Sequence, residues 1–191
     1  MQIILGSASP YRGMLLARLG LPFIQRSANV DETPASGEQP AALAKRLAAA
    51  KAGAVGAGLR GAIVIGSDQT AECSGTLLDK AGHFDAAREQ LRYLSGRSAA
   101  FYTAVTLLDT DSGRLLHDLA ITEVCFRPLT DVEIAAYLHR ETPYDCTGSF
   151  KAEGLGIALF DAIRSDDPTA LIGLPLIRVR RLLQELGVAA L

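Results

Sequence analysis

Residues 62 to 66, Ala-Ile-Val-Ile-Gly, run without one polar side chain, and the chain continues Ser67-Asp68-Gln69-Thr70. A continuous apolar run of this length is the pattern of a β-strand covered on both faces, not of one with a wet side. Such a strand demands layers above and below it. The flanking segments can supply them. Gln2 to Leu5 reads as a second short buried strand. Ser9-Pro10 opens a helix through Leu19, with Ser9 as N-cap, Pro10 at the first helical position and Gly20 past the end. Phe23 to Val30 is extended, Pro40 to about Val55 is Ala-rich and helical, and Asp85 to Leu94 is a helix closed by Ser95-Gly96. Strands over Ala100 to Leu108 and Leu115 to Phe126 flank Asp109-Thr110-Asp111-Ser112-Gly113, a hairpin-type turn. Thr130 to His139 is a helix with a capping box, since Glu133 lies three residues after Thr130. Ser149 to Phe160 is interrupted by glycine, and its pattern leaves the element type open. Pro175 to Leu186 is a last helix whose apolar stripe is Leu176, Val179, Leu183 and Leu186. Helices alternate with strands, and the hairpin makes the sheet mixed. The class is α/β.

The chain has 191 residues, of which 49% are hydrophobic, enough to fill the core of one substantial or two-lobed domain. The net charge of -2, with both signs spread along the chain, argues against a protein that coats nucleic acid or a membrane surface. It leaves room for a small anionic ligand, which needs only a local positive pocket. No apolar run reaches the length of a membrane span, and the first residues lack the charged start of a secretory signal, so a cytoplasmic protein is expected. Cys73, Cys125 and Cys146 are widely spaced, form no CxxC, and are expected to be isolated thiols.

Four segments could carry chemistry. In Gly6-Ser7-Ala8-Ser9-Pro10-Tyr11-Arg12 a strand passes through small residues into a helix. Free N–H groups at a helix start favour an anion, and two hydroxyls plus Arg12 add donors suited to phosphate. An ordinary capped helix with a surface arginine would show the same spacing, and no Walker GxxxxGK[ST] occurs. The run ending in Asp68 delivers an acid to a strand end, where α/β sheets place ligands and where it could hold a metal or activate water. A capping aspartate would also sit there. Lys51 shares a helical face with Leu43 and Leu47, unusual unless it meets an anion or reaches back to solvent. Thr147-Gly148-Ser149-Phe150-Lys151-Ala152-Glu153-Gly154-Leu155-Gly156 is a Gly-rich stretch in which backbone could approach a ligand, although Glu153 could equally be a plain surface acid.

Taken together and in this order, the segments resemble the Maf family of nucleotide pyrophosphatases. The match begins at Leu5, Ser7, Ser9, Pro10 and Arg12. It continues through Val30-Asp31-Glu32, Lys51 and Gly66-Ser67-Asp68-Gln69. It ends with Gly148-Ser149-Phe150-Lys151, Glu153-Gly154 and Ile172-Gly173-Leu174-Pro175. Within the family, Ser-Asp-Gln and Gly-Ser-Phe-Lys-x-Glu-Gly look like the branch that acts on 7-methyl-GTP. The chain departs from the usual pattern at Asp79-Lys80-Ala81, where Gly-Lys-Pro is common, and at Thr147, where Ala follows the cysteine.

The resemblance implies hydrolysis of a nucleoside triphosphate between its α and β phosphates, to the monophosphate and pyrophosphate. It implies an elongated mixed sheet flanked by helices, like that of inosine triphosphatases, forming two lobes around a central cleft within one domain, residues 1–191. A divalent cation (Mg2+, Mn2+ or Co2+) and a homodimer are implied too. Ser7, Ser9, Arg12, Lys51 and Lys80 would hold the phosphates. Asp68 would activate water, with Glu32 as further acidic partner for the cation. Tyr11, Gln69 and Glu153 would surround the base. Other readings are the same reaction on dTTP, UTP or other modified nucleotides, a nucleotide-binding regulator of septum formation and cell division, and a generic phosphatase, for which no DxDx[TV] motif is present.

Overall fold

The two apolar runs lie side by side. In the computed structural model, which describes residues 1–191, β1 (Gln2–Leu5) pairs in parallel with β3 (Ala62–Cys73), Ile3 opposite Ile63 and Leu5 opposite Ile65. β2 (Phe23–Gln25) pairs in parallel on the other side of β1. β4 (Thr76–Leu77) turns back antiparallel on β3. β5 (Ser98–Asp109) and β6 (Leu115–Phe126) form the expected hairpin, closed by Gly113 N–H on Asp109 O at 2.9 Å. β7 (Phe160–Arg164) is antiparallel to β6. The result is a seven-stranded mixed sheet ordered β2-β1-β3-β5-β6-β7, with β4 beside β3. The α/β class with a mixed sheet is as the sequence predicts.

The helices are α1 (Pro10–Ala17), α2 (Pro40–Gly56), α3 (Phe84–Leu94), α4 (Asp131–Glu141) and α5 (Leu176–Glu185). No helix is long and apolar enough to cross a membrane. Ser9 caps α1 as expected, its side chain accepting from Arg12 N–H, and Thr130 with Glu133 forms the capping box of α4.

The chain divides into two compact units. The first comprises residues 1–69, 102–120 and 167–191. Its core is aliphatic: Leu5, Leu16, Ile63, Ile65, Leu107, Leu174, Val179 and Leu183 are fully buried together. Burying such side chains is the main favourable term, roughly 1.5–3 kcal/mol each. The second comprises residues 70–101 and 121–166. It is built around Phe101, Phe126, Phe150 and Phe160, which meet edge to face with centroids 4.9 to 5.6 Å apart, the favoured aromatic geometry.

Several boundaries differ from the sequence reading. β3 does not stop at Gly66 but runs on to Cys73, so Asp68 lies inside a strand rather than at its end. The parallel partner β1 ends opposite Ile65, and from there β3 is continued by other neighbours. Polar Ser67, Asp68, Gln69 and Thr70 hid that continuation. β2 ends at Gln25 rather than Val30, and α1 ends at Ala17 rather than Leu19. β7 is a short edge strand, mostly exposed, which leaves little hydrophobic pattern to read.

Candidate active site

The site in the first unit begins where β1 meets α1. Ser7 is 7% exposed. Its Oγ accepts from Ser9 N–H at 3.2 Å and from Arg12 Nη1 at 3.3 Å. Arg12 Nε donates to Gly173 O at 2.9 Å. Gln25, at the end of β2, donates through Nε2 to Ser7 O at 3.0 Å and Ser9 O at 2.9 Å. These bonds hold a turn of two hydroxyls and one guanidinium at a helix start, the arrangement that suits a phosphate. Tyr11 sits in the first turn of the same helix.

Lys51 comes from the buried face of α2, beside Leu47, Ala48 and Ala52. Gly66 explains how close that helix lies. A Cβ at Gly66 would stand 2.2 Å from Ala48 O and 2.7 Å from Ala52 N. Only glycine lets α2 rest on β3 at this point. Lys51 Nζ then reaches Asp68 Oδ1 at 2.6 Å and Glu32 Oε1 at 2.6 Å. Lys51 and Asp68 are buried, while the Glu32 side chain is 61% exposed.

Burial pushes the Asp68 pKa above the usual carboxylate value. Lys51, through its charge and its hydrogen bond, and Arg12 pull it down, and the Glu32 charge pushes it up again. Desolvation lowers the Arg12 pKa, and Asp68 and Glu32 oppose that. One basic-acidic cluster therefore contains a buried carboxyl with a raised affinity for protons, the property of a general base candidate.

A cation is a further question of donors. Glu32 and Asp68 both place an oxygen on the same ammonium, so the two carboxylates converge on a spot that favours positive charge. No group of three or more His, Cys, Asp and Glu residues is arranged to hold a metal. Carboxylate oxygens are the donors a hard ion such as Mg2+ takes, alongside waters and phosphate oxygens of its substrate. Glu32 Oε1 and Asp68 Oδ1 here both face the Lys51 ammonium, so a cation would use their other oxygens or displace it. The two carboxylates do not form an all-protein cage.

The turn at Ala170–Ile172 meets the stretch of β3 on either side of Asp68. Ser67 Oγ donates to Ala104 O at 2.9 Å and Gly173 O at 3.1 Å. Gln69 Nε2 donates to Thr103 Oγ1 at 2.9 Å, Ala170 O at 3.0 Å and Leu171 O at 3.1 Å. Gly173 has φ +122, which side chains rarely adopt, and this turns its carbonyl onto Arg12 and Ser67.

In the second unit, Lys80 pairs by an isolated antiparallel bridge with Thr147. Gln90 ties the two segments, donating to Asp79 O at 3.1 Å while its Oε1 accepts from Ser149 Oγ at 2.6 Å. Lys151 N–H donates to Tyr137 Oη at 3.0 Å and Leu155 N–H to Glu141 Oε2 at 2.8 Å. Tyr137 and Glu141 on α4 thus hold the backbone on either side of the exposed Glu153.

A model of the Maf-like protein family matches residues 2–186. The chain belongs to the Maf family. Similar to it is a 7-methyl-GTP pyrophosphatase of Albidiferax ferrireducens, 52% identical over 190 residues, covering 100% of this chain and 96% of the relative. One of Xanthomonas oryzae pv. oryzae is 56% identical over 186 residues, covering 97% of each. One of Bordetella pertussis is 54% identical over 188 residues, covering 98% of this chain and 93% of the relative. Among solved structures, a HAM1 protein from Coxiella burnetii overlaps 66% of this chain and 73% of its own at a TM-score of 0.47 and 17% identity, too loosely to argue from.

In this Maf chain, hydrogen bonds join Ser7, Ser9 and Arg12, Lys51 joins Glu32 to Asp68, and Gln69 is held by Thr103 and the turn at residues 170–171, all within the first unit, with Tyr11 on the helix of Arg12. Lys80 and Glu153 belong to the second unit. Lys80, which lies between the departures at Asp79 and Ala81, is the bridge partner of Thr147, the other departure from the family pattern. Sequence reasoning missed Gln25, Gln90, Thr103 and the carbonyls of residues 170–173. Their signal is an acceptor or amide aimed at a distant segment, which no local spacing reveals. The glycines at 154 and 156 have internal reasons. A Cβ would stand 2.9 Å from the Glu141 carboxylate in the first case and 2.3 Å from Lys151 O in the second.

Proposed function

We propose that this chain hydrolyses 7-methyl-GTP between the α and β phosphates, releasing 7-methyl-GMP and pyrophosphate. The observation that carries the chemistry is the buried Asp68 carboxylate joined to Lys51, with Arg12 and the α1 start in the same unit. The substrate follows from full-length identity above 50% to proteins named for that activity.

Asp68 accepts a proton from the attacking water as its oxygen bonds to the α phosphorus and the bond to the bridging oxygen breaks. Ser7, Ser9, Arg12 and Lys51 hold the triphosphate and offset the charge that grows on the leaving pyrophosphate. Lys80 adds a further positive charge for the phosphates. A divalent cation on Glu32 and Asp68 supplies Lewis-acid stabilisation of phosphate oxygens when bound. Tyr11, Gln69 and Glu153 select the base. Guanine shows N1–H and N2–H2 side by side, which a carboxylate accepts together. N7 methylation makes the purine cationic, which favours an acid and an aromatic face. The enzyme acts as a cytoplasmic homodimer in the same reading.

The test is a panel of 7-methyl-GTP, GTP, UTP and dTTP with Mg2+ or Mn2+, scored for pyrophosphate. The proposal expects 7-methyl-GTP to give the highest kcat/KM. Binding without pyrophosphate release would instead indicate a nucleotide-binding regulator.

A further inference from the structure

We propose that Thr103 is a positioning residue for base selection, locking the Gln69 amide so that this side chain offers the nucleotide only its carbonyl oxygen. The proposal rests on the reading above, in which Gln69 faces the base.

Thr103 lies on β5 and is 0% exposed. Its hydroxyl has one proton, which it donates to Ala170 O at 2.9 Å. Only lone pairs are left for Gln69, and Gln69 Nε2 donates to them at 2.9 Å. The same nitrogen lies 3.0 Å from Ala170 O and 3.1 Å from Leu171 O. Its two N–H groups are therefore shared among three acceptors. Turning the amide over would set Oε1 against two carbonyl oxygens, and the Thr103 hydroxyl could meet it only by giving up its bond to Ala170 O. An unpaired, repelled acceptor in a closed site costs far more than the bond it replaces.

Glutamine normally reads either kind of edge, because one end donates and the other accepts. Here the donor end is committed to the protein, which leaves the acceptor end for the nucleotide. An acceptor-only Gln69 suits the adjacent N–H groups of guanine. It opposes the two carbonyl oxygens that flank the single N–H of uracil or thymine. The buried hydroxyl on an otherwise apolar strand face thus has a use that valine, of the same shape, could not fill.

The experiment measures kcat/KM for 7-methyl-GTP and UTP on wild type, Thr103→Val, Thr103→Ser, Gln69→Ala and the Thr103→Val/Gln69→Ala pair, with a thermal melt of each. Thr103→Val should cut the ratio of the two substrates by about tenfold, the order of one hydrogen bond in a discriminating site. The loss should fall in KM for 7-methyl-GTP. Thr103→Ser, which restores the hydroxyl, should keep the wild-type ratio. Gln69→Ala should lower the ratio too, and adding Thr103→Val should change it no further. If Gln69→Ala shifts the ratio but Thr103→Val slows both substrates alike, Thr103 is merely structural and the proposal is overturned while the base reading stands. If Gln69→Ala leaves the ratio unchanged, Gln69 does not read the base and the proposal falls with that reading. Should Thr103→Val fail to fold, the Gln69 side-chain N–H protons of wild type decide by NMR. Slowed exchange supports the lock, and exchange as fast as in an exposed glutamine contradicts it.

Discussion

At the scale of the residue, the proposed chemistry turns on Asp68 and the charges around it. Asp68→Asn is nearly isosteric but cannot take a proton, and removing a general base costs roughly 10²–10⁴-fold. Turnover should fall by that order while the melt stays close to wild type. The titration of Asp68 carries a sign that can be checked in the metal-free protein. Burial raises its pKa, so its carboxyl carbon should titrate by NMR above the ordinary carboxylate range. Glu32→Gln removes a like charge and should bring that pKa down, whereas Lys51→Met removes the cation and should raise it. A shift of the opposite sign in either variant would break the assignment of the cluster. Arg12→Ala should weaken every nucleotide about equally, since phosphate is common to all. A lost charge-assisted hydrogen bond of about 1.5–3 kcal/mol is roughly 10–150-fold in kcat/KM. A loss confined to one base would move Arg12 away from the triphosphate.

At the scale of the element, Gly66 sets the distance between α2 and β3 and so the meeting of Lys51 with Asp68. Gly66→Ala places a methyl group against the backbone of Ala48 and Ala52, which has no flexible end to move. Overpacking of this kind costs about 1–3 kcal/mol or more. The melting temperature should drop, and activity should drop with it even below the melt, because the helix bearing Lys51 is pushed off. An unchanged melt would show that the helix can shift freely. The same contact shows what the sequence could and could not reveal. Lys51 was legible because a lysine among Leu43 and Leu47 is out of place, and Ser9-Pro10 and Thr130-x-x-Glu133 were legible because caps are local chemistry. The length of β3 was not, because its second half is polar and paired only through the fold. Gln25 and Thr103 were not legible either. Their partners lie at Ser7 and Ser9 in one case and at Ala170 in the other, and nothing in the spacing joins them.

At the scale of the whole molecule, Maf membership covers nearly the entire chain and accounts for the order of its motifs. Ser7, Ser9, Arg12, Glu32, Lys51, Asp68 and Gln69 fall in the first unit, and Lys80 and Glu153 in the second. Glu153→Gln leaves the Asp68 cluster intact but trades an acceptor for a donor at one head, so it should narrow the lead of 7-methyl-GTP over UTP and dTTP without slowing all of them alike. The most direct measurement is pyrophosphate released from 7-methyl-GTP, GTP, UTP and dTTP by wild type and Asp68→Asn. The account predicts that 7-methyl-GTP ranks first for wild type and that the variant loses most turnover on all four. A wild type that prefers a pyrimidine nucleotide, or an Asp68→Asn enzyme that keeps near-normal kcat, would contradict it.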